Sequence, residues 1–182
     1  MPAWLNAANF FTLTRLALVP VVLLDIVGGH HLRALSLFFL AALTDVIDGS
    51  LARGSSGVTQ VGAYLDPIAD KCLMSGVFLA LGAAAIVPWW FVAVVLGRDL
   101  LILIGAVAAL SFTKVRQFPP SRWGKLSTFV QIVTAICWMV RDAWPAAVFV
   151  AIATAMLWVC TVFTVVSGLD YMQRGIHLFR VR

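Results

Sequence analysis

Apolar residues fall into six long runs, each closed by a short polar or turn-forming segment. The runs predict membrane-spanning helices at roughly 8–27, 33–53, 62–86, 88–112, 123–141 and 145–170. Each is close to the about 20 residues that a helix needs to cross a hydrocarbon layer. A short interfacial piece around Trp4 precedes the first run. The connections are short, so the spans are expected to alternate up and down as a bundle. Pro67 falls early in the third run and Pro88 opens the fourth, positions where a missing N–H costs a helix least. The expected fold is an all-α integral membrane protein of six transmembrane helices, with residues 1–182 forming one domain.

Composition supports this class. The chain is 62% hydrophobic and 12% charged, with a mean hydropathy of +1.00, well outside the range of a soluble globule. A net charge of +5 could suggest nucleic acid, but no basic run is interleaved with aromatics. Loop charges facing an anionic leaflet account for it better. Their placement gives the orientation. With the N-terminus inside, the inner loops and tail carry Arg53, Lys114, Arg116, Arg122, Lys125, Arg174, Arg180 and Arg182, against Arg33 and Arg141 outside. Trp4 and Trp123 then fall near the inner interface, and Trp89, Trp90 and Trp144 near the outer one. Trp138 and Trp158 lie deeper and read as packing residues. Cys72, Cys137 and Cys160 are odd in number and scattered through apolar runs, which reads as buried thiols rather than a zinc site or a disulfide framework. The N-terminal run lacks a basic leader and a small-residue cleavage site, so no cleavable signal peptide is expected. His30, His31 and His177 read as loop and tail residues without chemistry.

One stretch does not fit a purely structural bundle. All eight acidic residues are aspartates, and Asp45, Asp48, Asp66 and Asp70 fall within residues 44–71, between two apolar runs. An ionisable residue at membrane depth costs about 2.5–3.5 kcal/mol on insertion scales, so four together require a reason. Asp45 and Asp48 are spaced i, i+3, and Asp66 and Asp70 i, i+4, so each pair shares one face of a helix. Gly54, Ser55, Ser56 and Gly57 between them read as a loop, so the two helices are expected to be antiparallel neighbours with facing acidic sides. Four carboxylates at close range repel unless cations sit between them. Hard divalent ions with oxygen ligands, Mg²⁺ or Mn²⁺, suit that set. Gly49 and Ala52 leave room for a ligand to approach the backbone, and Arg53 supplies a fixed cation suited to phosphate.

The stretch resembles the signature of the CDP-alcohol phosphotransferase family, D-x2-D-G-x2-A-R-x8-G-x3-D-x3-D. Asp45, Asp48, Gly49, Ala52, Arg53, Gly62, Asp66 and Asp70 fill every fixed position. The resemblance implies transfer of a substituted phosphate from a CDP-linked donor to an alcohol, with release of CMP. It further implies that Asp45, Asp48, Asp66 and Asp70 hold two divalent ions and that Asp70 is also the general base. Asn9, Thr12, Asp45, Asp48, Gly49, Ala52, Arg53, Gly62 and Asp66 would surround the cytidine diphosphate.

Other polar positions allow more than one reading. Asn9, Thr12 and Arg15 form N-x-x-T-x-x-R on one helix face, a pattern the family often carries near the nucleotide. The alternative is a polar helix start with Arg15 snorkelling to the interface. Arg98 and Asp99 interrupt the fourth run, either to meet an acceptor's phosphate or as a structural ion pair. The segment 119–128, PPSRWGKLST, resembles the G-K-x-[KNS]-T element of phosphatidylglycerophosphate synthases and mitochondrial-type cardiolipin synthases. In it, Lys125, Ser127 and Thr128 could bind a phosphate, or the segment could simply be a basic inner loop. It is no P-loop, because the required preceding glycine and strand are absent. Lys71 follows Asp70, placed to partner a phosphate or to neutralise the carboxylates.

The resemblance therefore implies a phosphatidyl transfer from CDP-diacylglycerol at the inner face of a bacterial cytoplasmic membrane, by a protein expected to be a homodimer. The cations Lys71, Arg98 and Lys125 favour sn-glycerol 3-phosphate as acceptor, giving phosphatidylglycerophosphate. Phosphatidylglycerol, giving cardiolipin, is the alternative within the family. A cation transporter is the reading from another class, but the acids cluster at one edge rather than at a midplane site open to both sides. The intact motif argues against a scaffold without catalysis.

Overall fold

The computed structural model describes the backbone of residues 7–51, 60–112 and 121–180, and side chains at 13–42, 71–105 and 121–174. Among the described residues there are six helices and no strand: α1 (Ala7–Val27), α2 (His31–Leu51), α3 (Gln60–Ala83), α4 (Trp89–Phe112), α5 (Arg122–Ala143) and α6 (Ala147–Arg180). They follow the six apolar runs closely, except that α6 continues well past residue 170. Hydropathy marks the stretch matched to hydrocarbon, whereas the helix goes on through Asp170 and Arg174, an i, i+4 ion pair at 3.0 Å. With 34 residues, α6 is about 50 Å long at about 1.5 Å per residue, against about 30 Å of hydrocarbon. Among the described residues, Arg122–Ala143 and Ala147–Arg174 are long and apolar enough to cross a membrane.

Residues 1–86 form one compact unit. In it α1 packs against both α2 and α3. Val22 and Ile26 of α1, Ala34, Phe38 and Ala41 of α2, and Val77, Phe78 and Leu81 of α3 are each 2% exposed or less. A Cβ on Gly76 would come within 3.0 Å of the Leu23 side chain, so the glycine sets the close approach of α1 and α3. The α1–α2 corner is a Schellman cap. Gly29 has φ +75, its N–H donates to Ile26 O at 3.3 Å, and His30 N–H donates to Asp25 O at 2.9 Å. Buried Asp25 braces the corner by accepting from Arg33 Nε at 2.7 Å and also from its Nη2.

The C-terminus of α3 closes in the same way without a glycine. Ile86 N–H donates to Leu81 O at 2.9 Å and Ala85 N–H to Gly82 O at 3.0 Å, with Ala85 at φ 55. A left-handed alanine costs roughly 1–2 kcal/mol, and the Ala85 methyl is exposed, so it has no packing to lose. Glycine relieves that strain but costs roughly 0.5–1 kcal/mol of chain entropy. Ala85→Gly is therefore expected to stabilise the protein by about 0.5–1 kcal/mol in denaturant unfolding of the detergent-solubilised protein. A destabilised variant would show that the strain is not there.

Residues 87–182 form the second unit. Here α6 packs against both α4 and α5. Phe91, Val92 and Val95 of α4, Ala135 and Met139 of α5, and Ala153 and Cys160 of α6 are each 2% exposed or less. A polar seam runs between α5 and α6. Ser127, Gln131, Thr134, Thr164 and Ser167 are buried along it. Gln131 Nε2 lies 3.5 Å from Thr164 Oγ1, and Thr134 Oγ1 donates to its own helix at Val130 O, 2.7 Å, and lies 3.3 Å from Met156 O across the seam. Such contacts hold helices together where lipid gives no hydrophobic drive to pair.

Two expectations need correction. Cys160 is buried, but Cys72 is exposed and Cys137 only half-buried, because apolar surroundings in sequence do not fix which face of a helix a residue occupies. Trp138 is buried as a packing residue, but Trp158 is 60% exposed, its ring tilted against Trp90 at 5.6 Å.

Candidate active site

The acidic motif lies on two helices of the first unit. Asp45 and Asp48, with Gly49 beside them, fall in the last two turns of α2, and Gly62, Asp66 and Asp70 in the first turns of α3. Backbone of helical form thus carries both aspartate spacings. Asn9 and Thr12 lie in the first two turns of α1. Ala52, Arg53 and residues 54–57, expected to form a loop, lie outside the described residues, as do the side chains of Asn9, Thr12, Asp45, Asp48, Asp66 and Asp70. Arg15, one turn beyond Thr12, is 1% exposed. It is therefore a core residue of the unit and does not snorkel to an interface. Lys71 is exposed.

The segment expected to meet the acceptor opens α5 in the second unit. Ser121 is the N-cap, with φ −71 and ψ 156, and its Oγ accepts from Gly124 N–H at 2.9 Å. Lys125 is exposed on the first turn, and its own N–H donates to Ser121 O at 3.1 Å. The two hydroxyls differ. Thr128 Oγ1 donates back to Gly124 O at 3.1 Å, whereas Ser127 is wholly buried and its Oγ has no hydrogen-bond partner among the described residues.

Arg98 is 7% exposed in the middle of α4, and its donors are largely occupied by the protein. Nε and Nη2 donate to Ser167 Oγ at 3.2 and 2.7 Å, Nη2 also to Gly124 O at 3.3 Å, and Nη1 to Asp99 at 2.7 Å. The guanidinium carbon lies 6.0 Å from the centre of the Tyr171 ring. Tyr171 in turn accepts from Ser121 N–H at 3.0 Å through its hydroxyl. Sequence reasoning picked out Arg98 and Lys125 but missed Ser121, Ser167 and Tyr171. The one available signal was the polarity of Ser167, Asp170 and Tyr171 late in the sixth apolar run.

The family described as CDP-alcohol phosphatidyltransferase matches residues 5–166. A Mycobacterium tuberculosis protein named as a probable phosphatidylglycerophosphate synthase is 37% identical over 94% of this chain and 82% of its own. The CDP-diacylglycerol–glycerol-3-phosphate 3-phosphatidyltransferase of Bacillus subtilis is 30% identical, covering 93% of this chain and 95% of its own. A Mycobacterium bovis protein provisionally named as a cardiolipin synthase is 32% identical over 69% of this chain and 60% of its own. With the acidic signature complete in sequence and its four aspartates on helical backbone, the chain belongs to the CDP-alcohol phosphatidyltransferase family.

Proposed function

We propose that this protein transfers the phosphatidyl group of CDP-diacylglycerol to sn-glycerol 3-phosphate, giving phosphatidylglycerophosphate and CMP. The observation that carries the reading is the complete aspartate signature in a chain 30% identical, nearly end to end, to a protein named for that reaction. The acceptor's hydroxyl oxygen bonds to the phosphatidyl phosphorus as the bond from that phosphorus to the bridging oxygen breaks. CMP leaves with the bridging oxygen, and the hydroxyl proton passes to Asp70. Asn9, Thr12, Gly49, Ala52, Arg53 and Gly62 seat the cytidine diphosphate. Lys71 and Lys125 serve the acceptor's phosphate, with Arg98 acting in support; Ser127, wholly buried, and Thr128, bonded back to Gly124 O, do not offer it their hydroxyls.

Asp45, Asp48, Asp66 and Asp70 would hold two divalent ions. The all-carboxylate donor set, one helical turn apart within each pair, fits Mg²⁺ or Mn²⁺. Bound there, the ions would neutralise charge on the diphosphate. Nearby cations also lower a carboxylate's basicity, so Asp70 contributes as much by orienting the hydroxyl as by removing its proton.

Six membrane spans, a site on the cytoplasmic face of a bacterial membrane, and a homodimer whose chains each act as one catalytic domain complete the reading. The Lys and Arg asymmetry supports the orientation. A second reading, phosphatidylglycerol as acceptor, is favoured by the Mycobacterium bovis relative. Purified protein in mixed micelles is expected to release CMP from CDP-diacylglycerol only when an alcohol acceptor is added. In sealed vesicles, glycerol 3-phosphate added outside is expected to support release from inverted vesicles and not from right-side-out ones. Ion flux without CMP release would replace the enzyme by a transporter, and activity confined to right-side-out vesicles would reverse the orientation.

A further inference from the structure

We propose that Arg98 and Tyr171 are positioning residues, which clamp the first turn of α5 from α4 and α6 and so fix Lys125 for the acceptor's phosphate. The inference rests on the acceptor reading given above and deepens it. An arginine within an apolar helix costs about 2.5–3.5 kcal/mol on insertion scales, so its partners show what it is for. Four of the five guanidinium N–H groups are directed at three protein groups: Ser167 Oγ, Gly124 O and Asp99. That leaves little of Arg98 for a ligand. Its reach to Gly124 O joins α4 to the residue immediately before Lys125.

The second point of the clamp comes from α6. The Tyr171 hydroxyl receives the Ser121 N–H at 3.0 Å, and Ser121 Oγ receives the Gly124 N–H at 2.9 Å. Both the N–H and the carbonyl of Gly124 are thus held. A Cβ on Gly124 would lie 2.9 Å from Tyr171 Cε2 and 2.9 Å from its hydroxyl, nearer than a Cβ can come. The glycine of the G-K-x-S-T element is therefore needed for the tyrosine of α6 and not for direct approach of a phosphate to the backbone. Ser121, Gly124, Ser167 and Tyr171 are all buried, so water does not compete for these bonds.

Tyr171→Phe keeps the ring and removes only the hydroxyl, so it tests the clamp without emptying the core. The amides of residues 121–125 are expected to exchange about tenfold faster with deuterium in detergent-solubilised protein, with the rest of α5 and α6 unchanged. The KM for glycerol 3-phosphate is expected to rise about tenfold, with that for CDP-diacylglycerol and the melting temperature nearly constant. Arg98→Lys, which keeps the charge but not the fork, is expected to behave alike. Lys125→Ala is measured beside them. A raised acceptor KM in Lys125→Ala with no change in the two clamp variants overturns the positioning role and leaves the acceptor reading standing. An unchanged acceptor KM in Lys125→Ala overturns the acceptor reading and this inference with it, even where exchange at 121–125 is faster. Equal rises of both substrates' KM in the clamp variants reduce the network to bundle stability and also overturn it.

Discussion

Asparagine in place of Asp45, Asp48 or Asp66 is expected to lower kcat/KM for CMP release by about a thousandfold or more, the equivalent of about 4 kcal/mol of transition-state stabilisation. Asparagine keeps the size and one carbonyl oxygen but removes the charge that binds a divalent ion. EDTA is expected to abolish wild-type activity, and added Mg²⁺ or Mn²⁺ to restore it. The helices α2 and α3 do not depend on these charges for their backbone bonds, so the variants keep the helical circular dichroism. With one like charge removed from a crowded set, the metal-free variants are expected to melt no lower than the wild type. Full activity in one variant removes that carboxylate from the site. Full activity in EDTA ends the metal mechanism altogether.

The second large effect concerns the acceptor. Glycerol 3-phosphate is expected to outperform glycerol by about two to four orders of magnitude in apparent efficiency. A phosphomonoester brings nearly two negative charges, and charge-assisted bonds to lysine are each worth about 1.5–3 kcal/mol. Two such bonds account for the ratio. Lys125→Ala is expected to raise the KM for glycerol 3-phosphate alone, because Lys125 is an exposed cation on the clamped turn, directly after the held Gly124. A panel of glycerol, serine, inositol, glycerol 3-phosphate and phosphatidylglycerol, read by lipid mass spectrometry, checks this directly. If phosphatidylglycerol, a diester with one charge that enters from the bilayer, is the better acceptor, the protein is a cardiolipin synthase.

Several helix boundaries were legible because a residue there has a mechanical reason to end or start a helix. Gly29 takes the left-handed cap of α1, Pro88 precedes α4, and Pro145 lies between α5 and α6. The family was legible because its signature is local: eight fixed residues within 26 positions, Asp45 to Asp70. The role of Arg98 was not. Sequence shows that a buried arginine needs partners, but Ser167 lies 69 residues away and Gly124 lies 26 away. No periodicity links such positions. Gly124 shows the same limit from the other side. In sequence it belongs to a phosphate-like motif, while in the fold its missing side chain makes room for Tyr171. Thr128 likewise reads as a free donor until its bond to Gly124 O is seen.

The seam between α5 and α6 also bears on how the chain enters a membrane. During synthesis α5 emerges before the partner that will cover Ser127, Gln131 and Thr134. Alone in lipid it would expose an amide and two hydroxyls, of which Thr134 turns back to its own helix at Val130 O. The corner that follows is short: Trp144 N–H closes on Val140 O, Ala146 N–H on Trp144 O, and α6 begins at Ala147. The two helices are therefore expected to enter a membrane together as a hairpin, with the apolar surface of α6 admitting the less apolar α5 alongside it.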